Sequence, residues 1–279
     1  MMMVNRARAA LVIGANLVLL VPAHAADASA WDGTQRSAVR LIAGGAVNGS
    51  ASLRAGIEIR LAPGWKTYWR YPGDSGIPPR FDFSKSHNVK SVNVRWPAPQ
   101  RLTDEGGTSI GYKHDLIFPL EVVPEDRSKP VTLSFAIDYG VCEKLCMPVD
   151  AAAELTIDGK ATEQDQRIAA AEARVPKPAT LVQDGAFSIR TVKREASRIT
   201  VDVAYPAGES VDLFAEGPAA DWALPVPSPV QGAPEGAQRF TFELDGLPPN
   251  TKPDGATLRL TAVAGERAIE VPYRLDSPN

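Results

Sequence analysis

Cys142 and Cys146 are the residues of this sequence whose type and spacing could do covalent chemistry. They are its two cysteines, and three residues separate them. Close thiols can exchange with a disulfide, because one thiolate attacks it and the second resolves the mixed disulfide that forms. This chemistry needs no metal ion and no organic cofactor.

The residues around the pair predict a tight bend that follows a strand. Residues 135–139 are strand-like, and Gly140 and Pro148 interrupt the chain on either side of the cysteines. A strand–turn–strand fits this pattern best. A short helix would also bring positions i and i+4 within about 5–6 Å at Cβ. Both geometries allow the Cα separation of about 4.4–6.8 Å that a disulfide requires.

The residues alone leave three uses of the pair open, of which redox exchange is the first. The second is a structural disulfide in a non-catalytic interaction domain. Closing so short a ring would remove only about 2 kcal/mol of unfolded-state entropy. The third is Cu(I) binding, because the two thiolates and the thioether of Met147 suit that ion. Zinc is disfavoured, since His87 and His114 do not lie at a zinc-finger spacing from the cysteines.

The first 25 residues predict an export signal. Arg6 and Arg8 precede an apolar run at residues 9–21, and Ala23-His24-Ala25 matches a small-x-small cleavage site. The apolar run is shorter than the roughly 20 residues of a membrane-spanning helix. We therefore expect cleavage before Ala26 and a periplasmic protein, in a compartment where disulfides persist.

The charge balance excludes some partners. The whole chain has a formal net charge of −3. The signal carries two arginines and no acid, which leaves 28 basic against 33 acidic residues, or −5. No basic tract could neutralise phosphates, so nucleic acid is not an expected partner. Motifs of hydrolases and nucleotide-binding enzymes are also missing from the sequence.

The pattern of short apolar runs predicts an all-β protein with two domains. Turn residues separate the runs at the spacing of β-sandwiches. The predicted strands are residues 53–61, 65–71, 89–96, 116–123, 131–139 and 153–157, then 187–190, 198–204, 211–214, 239–244, 257–263 and 268–273. A helix is predicted at residues 162–174, before a proline-rich stop. The predicted domains are residues 26–160, a helix and Pro linker at 161–180, and a smaller sandwich at 181–279.

The predicted strand at residues 65–71 has two different faces. Alternation places large rings on one face and charged or polar groups on the other. We expect the first face in the core, because aromatic rings bury much area. That face holds Trp65, Thr67, Trp69 and Tyr71, and the other holds Lys66, Tyr68 and Arg70.

Several motifs in one order resemble the amino-terminal periplasmic domain of the disulfide reductase DsbD. They resemble still more closely its relatives in the suppressor-of-copper-sensitivity ScsB group. The motifs are Gly64-Trp65-Lys66-Thr67-Tyr68-Trp69-Arg70, Asp104-Glu105 before Gly111-Tyr112, Leu116-Ile117-Phe118-Pro119-Leu120, Tyr139-Gly140-Val141-Cys142 and Cys146-Met147-Pro148. The resemblance covers roughly residues 50–158.

The resemblance implies an immunoglobulin-like sandwich with protein-disulfide reductase-like activity. Its cysteines would accept electrons from a thioredoxin-like domain or membrane electron conveyor and pass them to disulfides of periplasmic clients. The resemblance implies that this electron transfer would serve copper tolerance or cytochrome c maturation. The resemblance also makes Cys146 the sulfur that forms mixed disulfides and Cys142 its resolving partner, with Tyr68 nearby.

Three departures from DsbD affect this expectation. The C-x3-C spacing is shorter than in DsbD, which favours the copper-tolerance relatives. The aromatic ring that caps the disulfide in DsbD is missing after Asp104-Glu105, and Ile110 or Tyr112 would have to substitute. The sequence contains no hydrophobic spans of a membrane conveyor, so we expect the reductant to come from another polypeptide.

Charged residues near the pair are candidates for tuning the thiols. Asp104 and Glu105 would raise a thiol pKa, because negative charge disfavours a thiolate. Lys144, between the cysteines, would lower it.

Overall fold

The chain folds into two consecutive β-sandwiches. This computed structural model describes residues 26–46, 50–73, 76–104, 107–181 and 185–276. The predicted signal segment lies outside the described residues. The predicted all-β class, with an immunoglobulin-like sandwich and a second β domain, is confirmed. Within the described ranges, no helix is long and apolar enough to cross a membrane.

In the part of the chain that the structure describes, eleven strands build the first sandwich. In chain order they are β1 (Asp32–Gly33), β2 (Ser37–Ala43), β3 (Leu53–Leu61), β4 (Lys66–Gly73), β5 (Arg80–Asp82), β6 (Val89–Val94), β7 (Gln100–Asp104), β8 (Gly107–Tyr112), β9 (Leu116–Pro124), β10 (Val131–Cys142) and β11 (Cys146–Ile157). One sheet has the order β1-β2-β3-β9-β6. The other has the order β11-β10-β4-β8-β7, and β5 also pairs with β10.

The core of the first sandwich lies between these two sheets. Period-two alternation turns every second side chain inward. In β3 this buries Ile57 and Ile59, in β9 Phe118, and in the facing sheet Trp69 and Val141, all at 0% exposure. The β3 strand was predicted with the bounds that the structure has, because its alternation is unbroken.

The second sandwich follows α1 (Asp165–Ala173), the one helix among the described residues. Its strands are β12 (Lys177–Pro178), β13 (Ser188–Glu195), β14 (Arg198–Ala204), β15 (Val211–Glu216), β16 (Ser228–Val230), β17 (Ala237–Glu243), β18 (Thr257–Ala264) and β19 (Arg267–Arg274). The sheets have the orders β12-β19-β18-β15 and β13-β14-β17-β16. Val201, Phe240, Leu260 and Val271 belong to the core between them.

The segment predicted as a linker is part of both sandwiches. Helix α1 is shorter than the predicted residues 162–174, and its Ile168 is fully buried. Arg54 on β3 binds the helix residue Glu172 through two hydrogen bonds, of 2.8 and 2.9 Å. Strand β12 then pairs in parallel with β19 of the second sandwich. The linker therefore packs on one sandwich and extends a sheet of the other.

A buried carboxylate also holds the helix to the first sandwich. Glu58 on β3 is 6% exposed and accepts hydrogen bonds from Arg40, at 2.7 Å, and from Arg167 of the helix. Burial alone would raise the pKa of Glu58. The hydrogen bonds and charges of the two arginines outweigh burial and lower this pKa below its ordinary 4.5.

Replacement of Glu58 by Gln should remove a pH-dependent part of the stability. Because the folded pKa lies below the unfolded one, the stabilisation is complete above about pH 4.5 and is lost as the pH falls through the folded pKa. We expect Glu58→Gln to lower the free energy of unfolding by about 2 kcal/mol at pH 7. Urea unfolding at pH 7 and pH 3 measures this, and an equal loss at both values would contradict the pKa assignment.

Candidate thiol–disulfide site

The two cysteines close the tip of a long hairpin. Strands β10 and β11 pair without interruption from Val131 opposite Ile157 to Cys142 opposite Cys146. The sulfurs of this last pair are joined in a disulfide, and the two Cα atoms are 4.1 Å apart. The chain therefore adopts the predicted strand–turn–strand, with residues 143–145 as the turn.

Strand pairing places the disulfide on the outer face of its sheet. Lys66 on β4 lies opposite Cys142, and Thr67 lies opposite Val141. Directly opposed residues share a face. Val141 and Thr67 are fully buried and point toward the core. Cys142, Cys146 and Lys66 therefore point the other way, and alternation puts Tyr68 with them.

The two cysteines differ in accessibility. Cys142 is 4% exposed, whereas Cys146 is exposed. Glu143 and Lys144 in the turn are also exposed, and Leu145 is 76% exposed. The hairpin thus offers Cys146 to a partner and shields Cys142.

A tyrosine hydroxyl binds the accessible sulfur. The Oη atom of Tyr68 lies 3.0 Å from Sγ of Cys146. A disulfide sulfur carries no proton, so the hydroxyl is the donor. Tyr68 is 1% exposed, and this burial, together with the negative charge of Asp104, raises the pKa of its phenol. The phenol therefore stays protonated and able to donate.

Two glycines allow the chain to close over the Tyr68 ring. A Cβ at Gly140 would lie 3.0 Å from Cε2 of Tyr68 and 2.8 Å from Cβ of Ile77. A Cβ at Gly76, whose φ is +149°, would lie 2.5 Å from Cδ1 of the same ring. The Gly140 amide also donates to the Ile77 carbonyl at 3.1 Å. The segment at Gly76 and Ile77 therefore packs against this tyrosine.

Lys66 is a residue of the site to which the sequence assigned no role. Its side chain is 9% exposed, and its ammonium donates to Asp104 at 2.5 Å and to Ser109 at 3.0 Å. The sequence did place Lys66 on the same face of the predicted strand as Tyr68, and this alternation could have indicated that Lys66 lies near the cysteines. The positive charge of the ammonium compensates the negative charge of the Asp104 carboxylate. It therefore opposes the rise in thiol pKa that was expected from Asp104. Glu105 lies outside the described residues.

Two comparisons with known proteins found a match to this chain. Residues 39–158 match the family model described as thiol:disulfide interchange protein DsbD, N-terminal. The resemblance to the DsbD N-terminal domain is confirmed. The fold is similar to the crystal structure of the N-terminal periplasmic domain of ScsB from Proteus mirabilis, with a TM-score of 0.71 and 20% identity over 90% of this chain and 99% of that one. A search of curated proteins found no match.

The structure places the two proposed cap residues inside the first sandwich. Tyr112 lies opposite Thr67, and its hydroxyl donates to the Pro97 carbonyl at 2.9 Å. Tyr112 is 4% exposed and Ile110 is fully buried, both in the core cluster. Neither side chain covers the disulfide. Ile77, which is 38% exposed, packs on the outer face beside Gly140.

Met147 also lies apart from the two sulfurs. It is opposite Val141, packs in part against the core, and its Sδ accepts a hydrogen bond from Arg36 at 3.6 Å. Alternation therefore puts its thioether on the face opposite to Cys146. Cu(I) binding by the three sulfur groups stays a prediction, and it would require Met147 to leave this position.

Replacement of Tyr68 by Phe should raise the pKa of the Cys146 thiol in the reduced protein. Without the donor the thiolate is less stable, so alkylation of Cys146 at neutral pH should slow about tenfold. The rate of modification by iodoacetamide as a function of pH, with the modified cysteine assigned by mass spectrometry, measures this.

Tyr139→Phe is a matched control for the same loss of a buried hydroxyl. Tyr139 also lies in the disulfide-bearing sheet, but its hydroxyl pairs with Ser37 Oγ at 2.6 Å within the core. This control should change the stability and leave the thiol pKa unaltered. Equal pKa values in Tyr68→Phe and the wild type would contradict a role for the Tyr68 hydroxyl.

Proposed function

We propose that this protein is a periplasmic thiol–disulfide exchange module. It passes electrons from a thioredoxin-like domain or membrane electron conveyor to the disulfides of client proteins. The observation that carries the proposal is the Cys142–Cys146 disulfide at a hairpin tip, with one cysteine exposed and its sulfur bound by the Tyr68 hydroxyl. The match to the DsbD N-terminal family model supports the reaction class.

Two exchange steps account for the transfer of two electrons. A partner thiolate attacks Cys146 Sγ and releases the Cys142 thiolate. The second thiol of the partner then resolves this mixed disulfide, which leaves the partner oxidised and both cysteines reduced. The Cys146 thiolate next attacks a client disulfide, and the Cys142 thiolate attacks Cys146 Sγ to release the reduced client and restore the original bond. Two protons accompany the two electrons.

Accessibility supports Cys146 as the sulfur that partners attack. A partner sulfur must approach in line with the bond that breaks, and Cys142 is 4% exposed. Cys146 lies at the surface, and the Tyr68 hydroxyl can stabilise the Cys146 thiolate that forms when the oxidised partner is released. Cys142 stays next to it on the opposing strand, which keeps the resolving thiol close.

The hairpin supports repeated exchange without unfolding. Twelve consecutive residue pairs join β10 and β11. The cysteines form the last of these pairs, so the backbone ladder behind them does not depend on the sulfur–sulfur bond. Reduction can therefore leave both thiols in place for the next step.

Cys142→Ala should trap partners. With the resolving thiol removed, the Cys146 thiolate forms mixed disulfides that persist. We expect reductant-sensitive covalent complexes on non-reducing gels of periplasm that contains this variant. Cys146→Ala is the matched control and should trap none. Absence of complexes with both variants would contradict the proposal.

Leu145 supports recognition of a protein partner at the same tip. It lies within the ring that the disulfide closes and is 76% exposed. A protein that bonds to Cys146 must cover the adjacent turn, and burial of a leucine side chain contributes about 1.5–3 kcal/mol. The partner would therefore present an apolar surface beside its reactive cysteine.

Leu145→Glu should separate protein partners from small thiols. The second-order rate of reduction by a thioredoxin should fall about tenfold or more. The rate of reduction by dithiothreitol should stay close to that of the wild type. Leu181→Glu is the control, since Leu181 is also exposed, at 42%, but lies far along the chain from the cysteines. Equal loss with both reductants would contradict docking at Leu145.

A further inference from the structure

Strand β4 leaves its sheet directly after Tyr68. Tyr68 lies opposite Gly111 on β8, but the next pair along the two strands is Gly73 opposite Ser109. Between these two pairs, β4 has four residues, 69–72, and β8 has one, Ile110. Extra residues of this kind bend a strand out of its ladder and re-aim its side chains, often beside functional sites.

The bulged residues contact the second sandwich. The Trp69 ring lies 5.9 Å from the ring of Phe214 on β15. The Tyr71 hydroxyl donates to the Leu224 carbonyl at 2.5 Å. Phe214 belongs to the core cluster of the first sandwich, and Tyr71 packs against the core clusters of both sandwiches.

Arg70 binds two carboxylates of the second sandwich. Its guanidinium donates to both oxygens of Glu216, at 2.7 and 2.8 Å, and to Glu270 at 2.5 Å. All three side chains are at most 26% exposed. Burial alone would lower the pKa of Arg70, but the hydrogen bonds and charges of the two carboxylates raise it. A bidentate pair of this kind fixes orientation as well as distance.

The chain returns from this anchor to the tyrosine. A Cβ at Gly73 would lie 3.2 Å from Cγ2 of Val226 in the second sandwich, whereas one at Gly76 would strike the Tyr68 ring at 2.5 Å. Residues 69–72, which contact the second sandwich, therefore lie in the chain between Tyr68 itself and Gly76, which packs against the Tyr68 ring. Strand β7, which ends at Asp104, is attached in the same way, because Arg101 donates to Asp212 at 2.6 Å and to the Pro227 carbonyl at 2.7 Å.

We propose that Arg70 is a positioning residue, through which the second sandwich holds the Tyr68 hydroxyl against the Cys146 sulfur. This inference rests on the proposed exchange function and assigns a role to the second sandwich. Without the Arg70 anchor, residues 69–72 are free to settle back toward the sheet. Tyr68 then loses its fixed distance to the sulfur, and the Cys146 thiolate loses its donor.

A double-mutant cycle tests the inference on the full chain. The variants are Arg70→Met, Tyr68→Phe and the two together. The readout is the pH dependence of Cys146 alkylation in the reduced proteins. Arg70→Met should raise the apparent pKa of the thiol and slow alkylation at neutral pH about threefold or more. In the Tyr68→Phe background, Arg70→Met should have no further effect, because the hydroxyl that it positions is gone.

Arg239→Met is the matched control for a general loss of stability. Arg239 donates to both oxygens of Asp202, at 2.7 and 2.8 Å, within the second sandwich. This variant should lower the melting temperature and leave the alkylation profile at the wild-type values. If Arg70→Met does not fold, Glu270→Gln and Tyr71→Phe weaken the same anchor by single hydrogen bonds and should shift the profile in the same direction.

Two results would overturn the inference. One is a folded Arg70→Met protein whose thiol pKa equals that of the wild type. The other is an Arg70→Met effect of equal size with and without the Tyr68 hydroxyl. Exchange with a thioredoxin, measured in parallel on the wild type, keeps the two proposals separate. If the wild type does not exchange with thioredoxin, the proposed function is contradicted. If the wild type exchanges and the effects of Arg70→Met and Tyr68→Phe on the thiol pKa are additive, only the positioning role is contradicted.

Discussion

Backbone pairing at the end of strand β10 decides how the disulfide is presented. Cys142 is paired on one side with Cys146 and on the other with Lys66. These two pairings put both sulfurs on the outer face of the sheet, at the hairpin tip. The same pairings place Tyr68, two residues after Lys66 on β4, on the same face and within hydrogen-bond distance of Cys146. A shift of register by one residue would turn every one of these side chains into the core.

The outer face of this sheet buries polar groups, and each of them has a defined partner. Tyr68 binds the Cys146 sulfur, and the Lys66 ammonium binds Asp104 and Ser109. Burial without such partners would cost several kcal/mol for a charged group. The arrangement therefore favours one geometry at the site, which is the condition for a hydroxyl to act on one particular sulfur.

Much of this structure could be predicted from local sequence. The alternation in residues 53–61 gave the bounds of β3, and the break residues Gly140 and Pro148 marked the hairpin tip. The β11 strand was predicted only from residue 153, because Pro148 was expected to interrupt the chain, whereas it lies within the strand opposite Gly140. Strand β2 was not predicted, because its consecutive apolar residues Leu41, Ile42 and Ala43 break the alternation of apolar and polar residues.

The long-range parts of the site were beyond local reasoning. The Arg70 contacts join residues 146 and 200 positions apart, and nothing in the alternation of residues 65–71 distinguishes an arginine at a domain interface from a solvated one. Lys66 and Tyr68 were expected on the polar face, yet they are 7% and 1% exposed, because neighbouring strands and the segment at Gly76 and Ile77 cover them. The disulfide-bonded pair itself was predictable, since both cysteines lie within one turn.

The midpoint potential of the Cys142–Cys146 couple tests the central claim most directly. Equilibration of the protein with glutathione or dithiothreitol redox buffers, read by the mass of the alkylated thiols, gives this value. An exchange module should have a potential above about −300 mV, within reach of thioredoxin-like donors and the periplasmic pool. A potential below about −300 mV would identify a permanent structural bond and would contradict the account.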